Sequence, residues 1–166
     1  MQAYLNKSRF SFLKSPASWM KGVQYFAITF LCMAYLNTQV HFCISETDSL
    51  PQHYFVHFHN LKPKLNDYTL VHSPWLNQKI IKKIIGVEGD FIWFNQDWEC
   101  YVDTQRVGPL HRMGSDKRTL HPIESQTIPE DQVFLYGSHP YSFDSRYEEL
   151  GLVPLSSLQG RVIPLW

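Results

Sequence analysis

From Gly22 to Ser45 the chain contains no Asp, Glu, Lys or Arg. The 21 residues before this stretch carry Lys7, Arg9, Lys14 and Lys21 and no acid. From Glu46 onward there are 11 basic and 15 acidic residues, a balance of −4. A basic tail, an uncharged stretch and a mildly acidic body together predict a chain held at a membrane. The apolar heart of the stretch runs from Tyr25 to Leu36. A helical span needs about 20 mostly apolar residues, so Gln24 or Asn37–Val40 must complete it near the interfaces. Three readings compete: a buried core helix, a cleavable signal peptide and a retained anchor. No small-x-small cleavage site follows cleanly, which favours the anchor.

The expected organisation is a cytoplasmic basic tail (1–21), a transmembrane anchor (22–42) and a periplasmic domain (43–166). Positive charges before the anchor stay in the cytoplasm, which places the body outside, in the periplasm of a Gram-negative bacterium. The body lacks the positive excess needed to neutralise phosphates, which argues against nucleic acid as a partner. Cys32 lies in the anchor. Cys43 and Cys100 lie on the exported side, where either a disulfide or two free thiols is compatible with the sequence.

Beyond residue 45, short apolar runs are punctuated by Gly, Pro, Asn and Asp, and aromatics make up 15% of the chain. Both features predict a mainly β domain, a barrel or coiled sheet. Strands are expected at Tyr54–Phe58, Tyr68–His72, Lys79–Ile85, Phe91–Phe94, Trp98–Val102, Gln132–Tyr136 and Arg161–Ile163. Ser142–Leu150 reads as a short helical turn.

Three segments carry residues with chemical potential. Glu46–Pro51 presents Ser49 on a loop constrained by Pro51, with Thr47 two residues earlier. Alone, Ser-x-Pro is a common turn. Lys79–Gly86 places Lys82 between Ile80 and Ile84, and Lys83 between Ile81 and Ile85. An apolar setting lowers a lysine pKa by disfavouring the ammonium, the condition for general-base work. Periodicity does not choose between the two, and lysines protecting an edge strand explain the segment equally well. Gly137–Tyr147 contains Ser142, Asp144 and Arg146; a bidentate Asp144–Arg146 pair would fix that loop.

Taken in order, an apolar helix, Ser-Leu-Pro, Lys-Lys-Ile-Ile-Gly-x-x-Gly-Asp, Ser-x-Asp-Ser-Arg-Tyr and Gly-Arg-Val-x-Pro-Leu-Trp resemble the type I signal peptidase superfamily of serine/lysine proteases. The resemblance covers residues 43–166 and the anchor topology, and is closest to the TraF-type conjugative transfer peptidases. It implies a signal-peptidase-like coiled sheet preceded by one transmembrane helix. By position it implies Ser49 as nucleophile, Lys82 as general base and Ser142 as the hydroxyl orienting the lysine. Asp144 and Arg146 match the loop-fixing pair. Thr47 and the Ser49 N–H match the oxyanion donors. No cofactor is implied. The implied partners are the lipid bilayer and an exported protein, a pre-pilin or other signal-peptide-bearing substrate. The implied location is the bacterial inner membrane.

The chain departs from the pattern at several points. Lys83 stands where Arg is usual, Gln52-His53 replace a basic residue and Gly, and Val87-Glu88-Gly89 lacks a Pro. The Ser49–Lys82 interval is short, and Glu148–Gly151 lengthens the link after Tyr147. Two rival enzyme chemistries are weaker. His53, His57 and His59 share one strand face, yet no acid or Cys is spaced to complete a zinc site. A Ser-His-Asp triad lacks the Gly-x-Ser-x-Gly elbow. The remaining alternatives are a general type I signal peptidase and a catalytically silent assembly subunit of the same fold.

Overall fold

A computed structural model describes residues 16–45, 49–114 and 117–165, with the side chains of 16–18 left aside. Two compact units divide between Gln39 and Val40. The first holds helix α1, Pro16–Gln39. Its large apolar side chains, Trp19, Phe26, Phe30, Met33 and Leu36 among them, are exposed around the whole circumference. The helix stops at Gln39, short of the expected anchor boundary at residue 42, because Val40–Ile44 is strand. Among the described residues no helix is long and apolar enough to cross a membrane. Lys21, Gln24, Asn37, Thr38 and Gln39 dilute the apolar run. Helix α1 thus covers the expected anchor as far as Gln39, and residues 40–42 of that stretch are strand.

The second unit is mainly β, as the composition implied. Among its described residues, eleven strands form two antiparallel sheets. They are β1 (Val40–Ile44), β2 (Tyr54–Phe58), β3 (Tyr68–Ser73), β4 (Gln78–Gly86), β5 (Phe91–Phe94), β6 (Glu99–Val102), β7 (Gln105–Pro109), β8 (Gln126–Thr127), β9 (Gln132–Tyr136), β10 (Val153–Pro154) and β11 (Arg161–Pro164). The larger sheet has the order β1-β2-β11-β3-β4-β9-β10, and the smaller β7-β6-β5-β8. Residues of β1 and β4 line one common groove although three strands lie between them in the order. With strands about 4.8 Å apart, a flat sheet would hold them roughly 19 Å from each other. The larger sheet is therefore curled.

Strand β4 has the central place. Ile81 packs with Leu50, Phe55, Leu70 and Val162. Ile84 packs with Val71, Val133, Leu135 and Val153. Ile85 packs with Ile92, Val102, Ile128 and Phe134, in the cluster that joins the smaller sheet to the larger. One strand thus feeds all three cores, and a bulge between Ile84 and Gly86 lets it do so by breaking the strict two-residue alternation. Strand β11 returns the end of the chain to the middle of the larger sheet, between β2 and β3.

The segment Ser142–Leu150 is not helical. It is a run of turns, with Tyr147 N–H donating to Asp144 O and Leu150 N–H to Tyr147 O. The carboxylate of Asp144 takes the Arg146 N–H, giving the backbone a local alternative to a helical ladder. All three cysteines are free. Cys100 is buried among the residues around Ile92, whereas Cys43 packs beside the Leu50 group, so their thiols belong to different cores.

Gly160 turns the chain into β11 at φ +78°, and its carbonyl accepts the Thr69 hydroxyl at 2.9 Å. A Cβ there would strike the Phe58 carbonyl oxygen and come within 2.8 Å of that of His59. Neither is a flexible side-chain end. Gly160→Ala is expected to cost about 2–4 kcal/mol, through strain at positive φ plus displaced backbone. Urea denaturation of the variant checks this; an unchanged midpoint would contradict the geometry.

Candidate active site

Lys82 lies near the middle of β4, opposite Thr69 of β3. Its side chain is enclosed, with 2% of the residue exposed, while Lys83 is half-buried. The amine donates to Ser142 Oγ at 2.6 Å. Burial lowers its pKa from a free lysine's 10.5 to about 8; Asp144 opposes the shift and Arg146 adds to it. The structure thus separates two lysines that periodicity left equivalent.

Ser142 is held at both ends. Its N–H donates to His139 O at 2.9 Å, and its carbonyl accepts from Arg146 Nη2 at 3.2 Å. Asp144 and Arg146 form the bidentate pair expected from the sequence. Nε reaches Oδ1 at 2.8 Å and Nη2 reaches Oδ2 at 2.9 Å, with both residues fully enclosed. The carboxylate also accepts the Gly137 N–H, and the remaining Arg146 nitrogen donates to Pro109 O at the end of β7. Burial opposes the guanidinium charge and the carboxylate more than offsets it, leaving the Arg146 pKa raised. Ser145 completes the attachment by exchanging two hydrogen bonds with Leu135 of β9, one through its hydroxyl and one through its N–H.

Ser49 lies on the half-buried loop before β2. Leu50 is buried in the same cluster as Ile81, the residue before Lys82. The Ser49 carbonyl accepts the His139 N–H at 3.3 Å, three residues before Ser142. Side-chain contacts thus join Lys82, Ser142, Asp144 and Arg146, and a backbone bond ties Ser49 to the loop bearing Ser142. Thr47 lies outside the described residues.

Gly137 was quoted in the sequence without a role, and the structure supplies one. A Cβ on it would strike Ser142 Oγ and stand 2.8 Å from Lys82 Nζ. Only a residue with no side chain leaves space for this pair. Tyr141, stacked on His111 with ring centroids 4.1 Å apart, also steadies the loop. Neither contact is legible in the sequence, because both depend on strands far apart in the chain. The three-histidine face behaves differently from a metal site. His57 is buried beside Phe55 and bonded to Gln159 O, while His53 and His59 are exposed. Among the described residues, no three His, Cys, Asp or Glu side chains are grouped to hold a metal.

A buried, readily deprotonated amine on a serine hydroxyl, with a second serine loop tied alongside, suits base-assisted acyl transfer without a cofactor. That is the class of chemistry to which the fold and this cluster point. The chain belongs to the signal peptidase family, peptidase S26, whose family profile matches residues 17–166. Members are serine endopeptidases that process exported proteins. A signal peptidase I of known crystal structure, from Enterococcus faecalis V583, is 25% identical. The similarity covers 60% of this chain and 96% of that one, at a TM-score of 0.40. Among curated proteins none matches significantly.

Two measurements check the site. Gly137→Ala is expected to reduce peptide cleavage by about 100-fold, because a shift of about 1 Å in the pair is enough; full activity in a folded variant would show that the glycine is dispensable. The second concerns stability. Between pH 8 and 10.5 the unfolded chain holds a proton on Lys82 that the folded chain has released, so stability rises with pH across that window. The gain reaches about 3 kcal/mol for a shift of this size. Lys82→Met should lack this component in a pH series of denaturation curves.

Proposed function

We propose that this chain is a membrane-associated serine endopeptidase working by a Ser49/Lys82 dyad. The observation that carries the reading is the enclosed Lys82 amine, 2.6 Å from Ser142 Oγ and with its pKa lowered to about 8. In the proposed reaction Ser49 Oγ attacks a peptide carbonyl carbon while Lys82 Nζ takes the hydroxyl proton. Collapse of the tetrahedral adduct breaks the C–N bond, and the ammonium returns the proton to the leaving amine. Lys82, neutral again, deprotonates a water that attacks the acyl ester, and the resulting ammonium protonates Ser49 Oγ as the ester C–O bond breaks. Ser142 holds the amine in line, and the Asp144–Arg146 pair holds Ser142. Thr47 and the Ser49 N–H are proposed as oxyanion donors.

The backbone around Lys82 favours an extended substrate. Strand β9 pairs with β4 only from Lys83 onward, so on that side Gln78–Lys82 has no ladder partner in the described pairing. A peptide laid along such an edge gains main-chain hydrogen bonds up to the lysine. Membrane attachment has two supports. The apolar surface of α1 needs a cover, and its Thr29 hydroxyl is already satisfied by Tyr25 O. The outer face of β1, β2 and β11 exposes Phe42, Ile44, Tyr54 and Ile163, with Phe42 81% exposed. We place α1 at the bacterial inner membrane, with the basic tail cytoplasmic and the β unit periplasmic.

The substrate we favour is a pre-pilin or another exported subunit of a conjugative system, on the strength of the TraF-type motif order. A general type I signal peptidase is the second reading. Cleavage of a pilin precursor but not of unrelated signal-peptide-bearing precursors separates the two. A catalytically silent subunit would have no need to keep a lysine buried.

Cleavage assays test the dyad. Ser49→Ala and Lys82→Ala should each lower turnover by at least about 1,000-fold, and unchanged cleavage in both would remove the assignment. With a base of pKa about 8, kcat/KM should rise about tenfold per pH unit up to neutrality and level off above pH 9. A rate still climbing at pH 10.5 would mean an unburied base.

A further inference from the structure

Beside the site lies a groove of about 620 Å3, bounded on one side by Cys43–Ser45 and on the other by Gln78–Ile81. The first segment leads to Ser49 and the second to Lys82. His41, His57, His59 and Lys79 also line it, and among the described residues its lining contains no Asp or Glu. The His41 and His57 rings are 6.4 Å apart, and those of His57 and His59 are 5.8 Å apart, edge to face. Lys79 lies within electrostatic reach of both His57 and Cys43. Burial lowers the His57 pKa; the Gln159 carbonyl resists this, and His59, His41 and Lys79 add to it. Three imidazoles and an ammonium-bearing side chain thus share one concave surface, with no carboxylate among its described lining residues.

Nothing in the fold requires this arrangement. Lys79, at the open end of β4, and His59, just past β2, are both exposed. Three arginines of the unit have carboxylate partners: Arg106 with Glu99, Arg146 with Asp144, and Arg161 with Asp67. A lysine and three histidines grouped along one groove beside a reaction site fit an anion brought by the ligand. The groove ends at the residue before Lys82, so a peptide chain whose scissile bond reaches the site runs through it.

We propose that this groove selects substrates bearing an acidic side chain near the scissile bond, with Lys79 as the principal partner and the groove histidines as supporting donors. The proposal rests on the Ser49/Lys82 reading for the direction of the chain, and goes beyond it in naming the substrate's charge.

Paired peptides test it, each pair differing only by Glu or Gln at one position across a ten-residue segment. Binding is measured by fluorescence anisotropy to the detergent-solubilised full chain carrying Ser49→Ala, and cleavage separately with the unaltered chain. At one position Glu is expected to bind about tenfold more tightly than Gln, and Lys79→Gln in the Ser49→Ala background should bring the two within about twofold. His59→Gln should erode the preference partially. Equal binding of Glu and Gln peptides at every position overturns the proposal, as does a Glu preference that survives Lys79→Gln. Vesicles of anionic phospholipid form a further arm. Their binding through Lys79, with no Glu preference among peptides, would assign the groove to headgroups and overturn the proposal as well. Glu-selective binding without cleavage by the unaltered chain would refute the dyad and leave the groove's selectivity standing. Cleavage without selectivity would do the reverse.

Discussion

An amine cannot be buried cheaply as an ammonium, and the arrangement around Lys82 follows from that. The residue is enclosed because β4 contributes to three apolar clusters at once, through Ile81, Ile84 and Ile85. Dry surroundings lower the pKa, and the amine's 2.6 Å hydrogen bond goes to a neutral hydroxyl rather than a carboxylate. A carboxylate in that position would hold the proton on nitrogen and remove the base. The nearest charges are supplied instead as a closed pair. Asp144 raises the Lys82 pKa and Arg146 lowers it, so the two charges oppose each other at the amine.

That pair also solves a mechanical problem. The loop carrying Ser142 belongs to neither sheet, yet it must hold a hydroxyl at hydrogen-bond distance from a strand. The carboxylate ties the loop to Gly137, just past β9, and the guanidinium ties it to Pro109 of β7. One buried ion pair therefore fastens the loop to both sheets. Such a pair adds little net stability compared with apolar packing, but losing one partner would strand the other charge in the core. Its benefit here is fixed geometry, and Gly137 is the counterpart in space, a position kept empty so that two side chains can touch.

What could be read from the sequence divides along physical lines. Tyr54–Phe58, Phe91–Phe94 and Gln132–Tyr136 are strands with the bounds their patterns indicated. Each is short, apolar and bounded by turn residues. Strands β8 and β10 escaped because two residues carry no period, and β1 because its alternation lay inside an uncharged run that reads as helix. The choice between Lys82 and Lys83 escaped for a different reason. Alternation distinguishes faces only where one face is wet, and β4 is covered on both sides over its second half. The motif order pointed to Lys82, which is the more buried of the two. The ion pair was legible because both partners lie within three residues. The space at Gly137 and the tie from Arg146 to Pro109 were not, since they join segments that only the folded chain brings together.

The three lysines of β4 show how far environment outweighs residue type. Lys79 lies on the half of the strand that β9 does not reach, exposed and facing the histidine groove. Lys82 stands one residue before the β9 pairing begins, sealed by three clusters. Lys83 is the first residue of that pairing and stays half-buried opposite Tyr136. The strand passes from open edge to closed core within four residues. The lysine at the open end is exposed to a ligand, and burial at the closed end lowers the pKa of the other. A strand paired along its full length would offer no open edge, and a strand exposed along its full length could not lower the pKa of an amine. The point where the pairing starts is therefore what would let the proposed recognition and base chemistry stand side by side on one segment.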